Sequence, residues 1–232
     1  MAEEVRARAA VAAVFLNGEY EPEPAFYRQA AEGASMLIGA DGGAAWMIKL
    51  GLLPSVVVGD FDSLSPLALE ELRAKGVRSV RHPVRKDRTD AELAVGEALR
   101  MGAGAIDVFG GLGAGFDYAV GHVALLRGLA RRRVPARLLE PALTFMVMPA
   151  RSRLSVSAPP GSRFSLQPLT QRAVVSLRGF DYELRAARLR ADACRGLGNM
   201  VTRHDAEVLV HAGLAAVHVG APLQPFWSGM TA

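Results

Sequence analysis

From the N-terminus to about Glu140, short apolar or β-branched runs alternate with longer helix-like stretches. βαβ units around a parallel sheet produce this rhythm, because strands covered on both faces read as near-continuous apolar runs. Strands are expected at Ala9–Leu16, Ser35–Ala40, Ser55–Val58, Val77–Val80, Ala105–Phe109 and Ala136–Leu139, with helices filling the gaps. Two of those helices have legible ends. Ser65 before Pro66 suits an N-cap and first turn, with Gly76 as the stop, and Thr89 with Glu92 makes a capping box closed by Gly102. After about Arg151 the texture changes to short strand-like runs at Leu154–Ser157, Phe164–Pro168, Val174–Leu177, Val208–His211 and Ala215–Val219, broken by Pro159-Pro160-Gly161, Gly179 and Gly213. The expected fold class is α/β: a Rossmann-like parallel-sheet domain over residues 1–150, then a small all-β sandwich over residues 151–232.

Composition narrows the setting. A chain of 232 residues, half of them hydrophobic, can bury a substantial core. Its single cysteine, Cys194, rules out an internal disulfide framework and a cysteine-based metal site, which points to a reducing, cytoplasmic home. The apolar segment Ala9–Leu16 is short and runs into the acidic stretch Glu19–Glu23, so it reads as a first strand rather than a secretory leader. No run is long enough to span a bilayer. The formal charge of +4 is spread along the chain, and its densest basic run, Arg131–Arg133, falls at an expected helix end where cations complement the helix dipole. Neither nucleic acid nor membrane is an expected partner.

Four polar or glycine-rich clusters follow expected strands. Val58-Gly59-Asp60-Phe61-Asp62-Ser63 places two carboxylates on one side of an extended backbone, where their repulsion suits Mg²⁺ carried on nucleotide phosphates, and a plain solvated turn accounts for the cluster equally well. Lys86-Asp87-Arg88-Thr89-Asp90 opens a helix, and Thr89 and Asp90 there also suit ordinary capping. In Gly110-Gly111-Leu112-Gly113-Ala114-Gly115-Phe116-Asp117, backbone amides can approach phosphate before the helix Tyr118–Arg131. Asp41-Gly42-Gly43 reads locally as a helix cap. Ligands of open parallel sheets bind outside the carboxyl ends of the strands, so all four clusters converge on one crevice. His204 and His211 match no metal-site spacing and read as structural, Trp46 reads as core, and Trp227 could border an aromatic pocket.

In order and spacing, Asp41-Gly42-Gly43-Ala44, Gly59-Asp60-Phe61-Asp62-Ser63, Lys86-Asp87-Arg88-Thr89-Asp90 and the loop ending at Asp117 resemble the thiamine pyrophosphokinase family. Phe164–Leu169 and Gly196-Leu197-Gly198-Asn199 are similar to its thiamine-side motifs. The resemblance implies transfer of pyrophosphate from ATP to thiamine, dependent on Mg²⁺, by a homodimer whose thiamine pocket joins the catalytic domain of one subunit to the β domain of the other. It implies that Asp60, Asp62, Asp87 and Asp90 hold metal and phosphates, with Asp87 or Asp90 accepting the hydroxyl proton. Lys86 would contact phosphate, Asp41, Gly113 and Asp117 would help bind nucleotide, and Asn199 would face thiamine. The chain departs from the family's Gly-Gly-Arg-x-Asp-His loop, with Gly115 at the arginine position and Tyr118 at the histidine position. His122 stands where the family has a later asparagine, and Gly198 where it has a serine. Arg85 or Arg88 could restore the lost charge. A pyrophosphokinase for a hydroxymethyl-pterin, or a nucleotide- or thiamine-binding protein without turnover, stays open as an alternative.

Overall fold

The computed structural model describes residues 10–113, 115–223 and 230–231, and they group into two compact units, residues 1–122 and 123–232. In the first, β1 (Val11–Phe15), α1 (Pro24–Glu32), β2 (Met36–Ala40), α2 (Gly43–Lys49), β3 (Val56–Gly59), α3 (Pro66–Ala74), β4 (Arg78–Arg81), α4 (Asp90–Arg100) and β5 (Ala105–Phe109) alternate as expected. The strands lie in the order β5-β1-β2-β3-β4, every neighbouring pair parallel. Every residue of β3 and β5 is buried, as a sheet covered on both faces requires. β4, at the edge, is only partly buried and carries Arg78 and Arg81 outward. The order reverses at β1: β2 to β4 lie on one side and β5 on the other, which opens a crevice at the carboxyl ends of β1 and β5.

Local chemistry sets the helix ends. Ser65 accepts from the Ala68 amide at 3.1 Å with Pro66 at the first position of α3, and Gly76, at φ 79°, turns the chain out. Thr89 accepts from the Glu92 amide at 3.2 Å while Glu92 accepts from the Thr89 amide at 2.8 Å, a complete capping box for α4. Ala91, Ala94, Val95 and Ala98 form the buried stripe of α4 at helical spacing. On the same helix, buried Glu97 accepts from Arg100 at 2.6 Å and pairs with Arg78 of β4, tying the helix to the edge strand.

α5 (Phe116–Arg131) crosses the division between the units. The second unit contains β6 (Ala136–Glu140), β7 (Leu143–Pro149), β8 (Ser152–Val156), β9 (Arg163–Pro168), β10 (Arg172–Arg178), β11 (Leu184–Arg190), β12 (Asn199–Met200), β13 (Ala206–Ala212), β14 (Leu214–Val219) and β15 (Met230–Thr231). Its antiparallel strands run β12-β9-β14-β7-β6 in one layer and β11-β10-β13-β8-β15 in the other. Met146, Leu154, Phe164, Leu166, Val175, Val208 and Val217 share the core of this sandwich. The division lies earlier than the change of texture near residue 150, because β6 pairs with β7 and β7 with β14. Four strands went unread in the sequence: β7, whose Leu-Thr-Phe-Met-Val-Met run follows directly on β6, β11, an arginine-rich edge strand, and the two-residue β12 and β15. Trp227 lies outside the described residues. No described helix is long and apolar enough to cross a membrane.

Arg100, then Arg78, outweigh burial and hold the Glu97 carboxyl down at about 2, against an ordinary 4.5. A depressed carboxylate stabilises the fold above its unfolded pKa, and that contribution is lost as pH falls from 4.5 towards 2. Glu97→Gln should therefore cost about 1–2 kcal/mol at pH 7, a figure reduced for the solvent screening of its half-exposed arginines. In urea unfolding the gap between the two proteins should close as pH falls through that window.

Candidate active site

Each strand of the parallel sheet delivers residues to one cavity of about 440 Å³ at its carboxyl edge. Leu16 and Asn17 arrive from β1, Ala40 and Asp41 from β2, Asp60 from β3, Lys86 to Ala91 from the segment after β4 except Asp87, and Gly110 from β5. Tyr118 and His122 of α5 complete the wall. The turn after β2 lies against β1 with no room to spare: a Cβ on Gly43 would fall 2.0 Å from the Phe15 carbonyl oxygen.

Asp41, Asp60 and Asp62 each bring a carboxylate oxygen to within 4.8 Å of the others. Asp41 is 5% exposed, has φ 47°, and one of its oxygens is buried without a hydrogen-bond partner among the described residues. Its side chain does not cap α2: the N-cap is Gly42, with no side-chain cap, so Asp41 is not the helix cap expected and its carboxylate lines the cavity instead. The alignment of Asp60 and Asp62 also has a different cause from the extended backbone expected. Gly59 ends β3, and Phe61 takes φ 68° with its ring buried among Ala44, Val57, Leu64 and Leu72. Burial of that ring holds a backbone conformation unfavourable for a bulky residue and throws the flanking carboxylates outward together. Asp62 is then oriented by Ser63, which donates to it at 3.0 Å, and Ser63 accepts from Asn17 at 3.3 Å.

Lys86 joins the second cluster to the first. Its ammonium lies 3.0 Å from Asp60 and 2.8 Å from Asp90, with the lysine and Asp60 side chains mostly buried. The hydrogen bond from Lys86 holds the Asp60 carboxyl below the usual carboxylate range against the opposing effect of burial. Burial pulls the Lys86 ammonium down, but Asp90 and Asp60 together more than offset it and raise its pKa. Such a cluster is charged, fixed and suited to bind a hard cation through Asp41, Asp60 and Asp62.

The remaining expected residues fall elsewhere. Asp87 is exposed and is not part of the cavity wall. Gly113 packs against Glu19, whose Cβ would lie 2.2 Å from an added Cβ, and exposed Asp117 folds its carboxylate back over Gly115 in the first turn of α5. Asn199, in the second unit, is buried; its Oδ1 accepts from the Tyr182 and Met200 amides, and its Nδ2 donates to the Tyr182 carbonyl, each at 2.9 Å. Its second amide hydrogen has no acceptor among the described residues. Asn17, Tyr118 and His122 were missed as site residues. Position alone could have found Asn17, which directly follows the β1 run; His122 donates from Nδ1 to the Gly111 carbonyl at 2.6 Å, a contact between segments that spacing does not reveal.

An open parallel sheet with acidic and basic groups at its carboxyl edge, followed by an antiparallel β sandwich, defines a Rossmann-like α/β protein with a polar ligand crevice. Residues 27–138 match the family model described as "Thiamin pyrophosphokinase, catalytic domain". A thiamine pyrophosphokinase of Bacillus subtilis is 27% identical over 106 residues, which cover 46% of this chain and half the length of that relative. Crystal structures of thiamine pyrophosphokinases share the fold: that from Bacillus subtilis at TM-score 0.79 and 21% identity, covering 92% of this chain and 100% of the other, and that from Geobacillus thermodenitrificans at 0.75 and 22%, covering 92% and 99%. The enzyme from Candida albicans superposes with TM-score 0.74 at 14% identity, covering 92% and 89%. The family resemblance carried by the motifs is thereby borne out.

Replacing Lys86 with methionine removes the donor and counter-charge of Asp60. The carboxyl titration of Asp60 should then move upward in Lys86→Met, as read by ¹³C carboxyl shifts assigned with Asp60→Asn. An unmoved midpoint would show that the ion pair does not form in solution.

Proposed function

We propose that this protein transfers the pyrophosphoryl group of ATP to the hydroxyl of thiamine, giving thiamine diphosphate and AMP, and that it works as a cytoplasmic homodimer. The observation that carries the reading is the meeting of Asp41, Asp60 and Asp62 beside Lys86 at the carboxyl edge of the sheet, in a chain matched by the thiamin pyrophosphokinase catalytic-domain model. In this reaction the acceptor oxygen bonds to the β-phosphorus and the bond from that phosphorus to the α–β bridging oxygen breaks, releasing AMP. The protein's part is positioning and charge neutralisation rather than covalent catalysis, which suits a site rich in carboxylates.

Asp41, Asp60 and Asp62 would hold Mg²⁺, and the unpartnered oxygen of Asp41 supports that fit. When bound, the ion supplies neutralisation of phosphate charge. Lys86 keeps Asp60 ionised and fixes Asp90 at the cavity wall. Asp90 takes the proton of the acceptor hydroxyl in this reading; Asp87, outside the wall, adds negative charge at the rim. Asn199 offers its remaining amide proton to thiamine.

The test is the nucleotide product formed from ATP, Mg²⁺ and thiamine. AMP and thiamine diphosphate should appear together and only with thiamine present, and Asp60→Asn should lower the rate by about 100-fold or more. Asp41→Asn and Asp62→Asn should raise the Mg²⁺ concentration needed for half-activity by about tenfold, with Asp87→Asn much closer to wild type. Release of ADP or phosphate without thiamine would overturn the assignment in favour of hydrolysis, and AMP formed only with a hydroxymethyl-pterin would redirect it to that acceptor.

A further inference from the structure

Two cationic side chains line the cavity, and they are not equivalent. Lys86 is committed to Asp60 and Asp90. Arg88 is exposed and, among the described residues, has no ion pair or hydrogen bond from its side chain. Of the two acids in the first turn of α4, Asp90 is paired with Lys86 and Glu92 is spent on the amide and hydroxyl of Thr89. Thr89 begins α4 with a complete capping box, so Arg88 springs from a fixed point on the cavity wall rather than from a free loop.

Among the described residues, the cavity lining holds no lysine or arginine besides Lys86 and Arg88. The stretch from Gly110 to Tyr118 contains Asp117 but neither lysine nor arginine. A polyphosphate entering a cavity already lined by Asp41, Asp60 and Asp90 therefore meets, among the described residues, one uncommitted lysine or arginine. Arg85, the other arginine of the segment after β4, does not line the cavity. A guanidinium presents a planar fork of donors that matches phosphate oxygens two at a time, unlike an ammonium point charge.

We propose that Arg88 is the polyphosphate clamp of this site, gripping the phosphate chain of a nucleoside triphosphate and setting the preference for triphosphate over monophosphate. The inference rests on the reading that the cavity takes ATP.

The test uses the full chain and calorimetric binding of inorganic tripolyphosphate and of AMP, both with Mg²⁺. Arg88→Ala should weaken tripolyphosphate by about 10- to 100-fold and AMP far less. Arg88→Lys should recover part of the loss, since it keeps the charge without the fork. Arg85→Ala should match wild type. Because Arg88 has no side-chain partner among the described residues, the unfolding midpoint of Arg88→Ala should stay at the wild-type value. In turnover, its KM for ATP should rise about tenfold or more with the KM for thiamine unchanged. Wild-type tripolyphosphate affinity in Arg88→Ala, or the loss appearing in Arg85→Ala instead, would overturn the clamp. If tripolyphosphate binding depends on Arg88 but no AMP forms with thiamine, the clamp stands and the reaction assignment falls. If AMP forms with an unchanged KM for ATP in Arg88→Ala, the reverse holds.

Discussion

Three carboxylates within 4.8 Å of one another repel, and much of the first unit serves to keep them there. Asp41 is held by a left-handed backbone and by its amide, which donates to the Val58 carbonyl at 2.8 Å, so β2 and β3 fix its position together. Asp60 and Asp62 are held by Phe61, whose ring is anchored in the core beneath them. Lys86 offsets part of the charge but reaches only Asp60 of the three. The arrangement stores electrostatic strain that a bound cation would relieve, so an ion that favours the folded state also stabilises it by mass action.

The same constraint explains the packing around the turns. α2 can start at the end of β2 only because Gly43 lets it lie against Phe15, and that close approach brings Asp41 to the edge of the sheet rather than leaving it on a longer loop. α4 is docked by its alanine-rich stripe and by Glu97, which reaches Arg78 on β4. Its N-terminus, with Lys86 and Asp90, is thus set against β3 by contacts at the far end of the helix.

Most of the first unit was legible because every strand there except the edge strand β4 is a short apolar run with a polar or glycine-rich stop. The helix caps at Ser65 and Thr89 and the stops at Gly76 and Gly102 were local chemistry and needed no tertiary information. The site was legible to the level of which segments converge, since strand-end position determines that. Which side chains meet was not. Asp41 looked like a cap because Asp-Gly-Gly before a helix is ordinary capping chemistry; its turn toward Asp60 depends on the β2–β3 register. Asp87 and Asp90 are equivalent by motif and are separated only by the path of the chain into α4. In the second unit, β11 was hidden because its burial alternates weakly and its arginines read as solvated loop, whereas the regular apolar alternation of β8 and β10 was plain.

β11 has a further consequence. It closes one side of its layer, pairing with β10 alone, and so leaves a row of backbone donors and acceptors open to any passing strand. Arg185, Arg188 and Arg190 project from it into solvent, and Arg190 sits opposite Arg172. Two such edges meeting would bring these guanidinium groups together, so the sandwich resists growth by strand addition through its own charge. That protection is colloidal in character: it weakens as ionic strength rises, and with it the tolerance of the protein for crowding by its own copies.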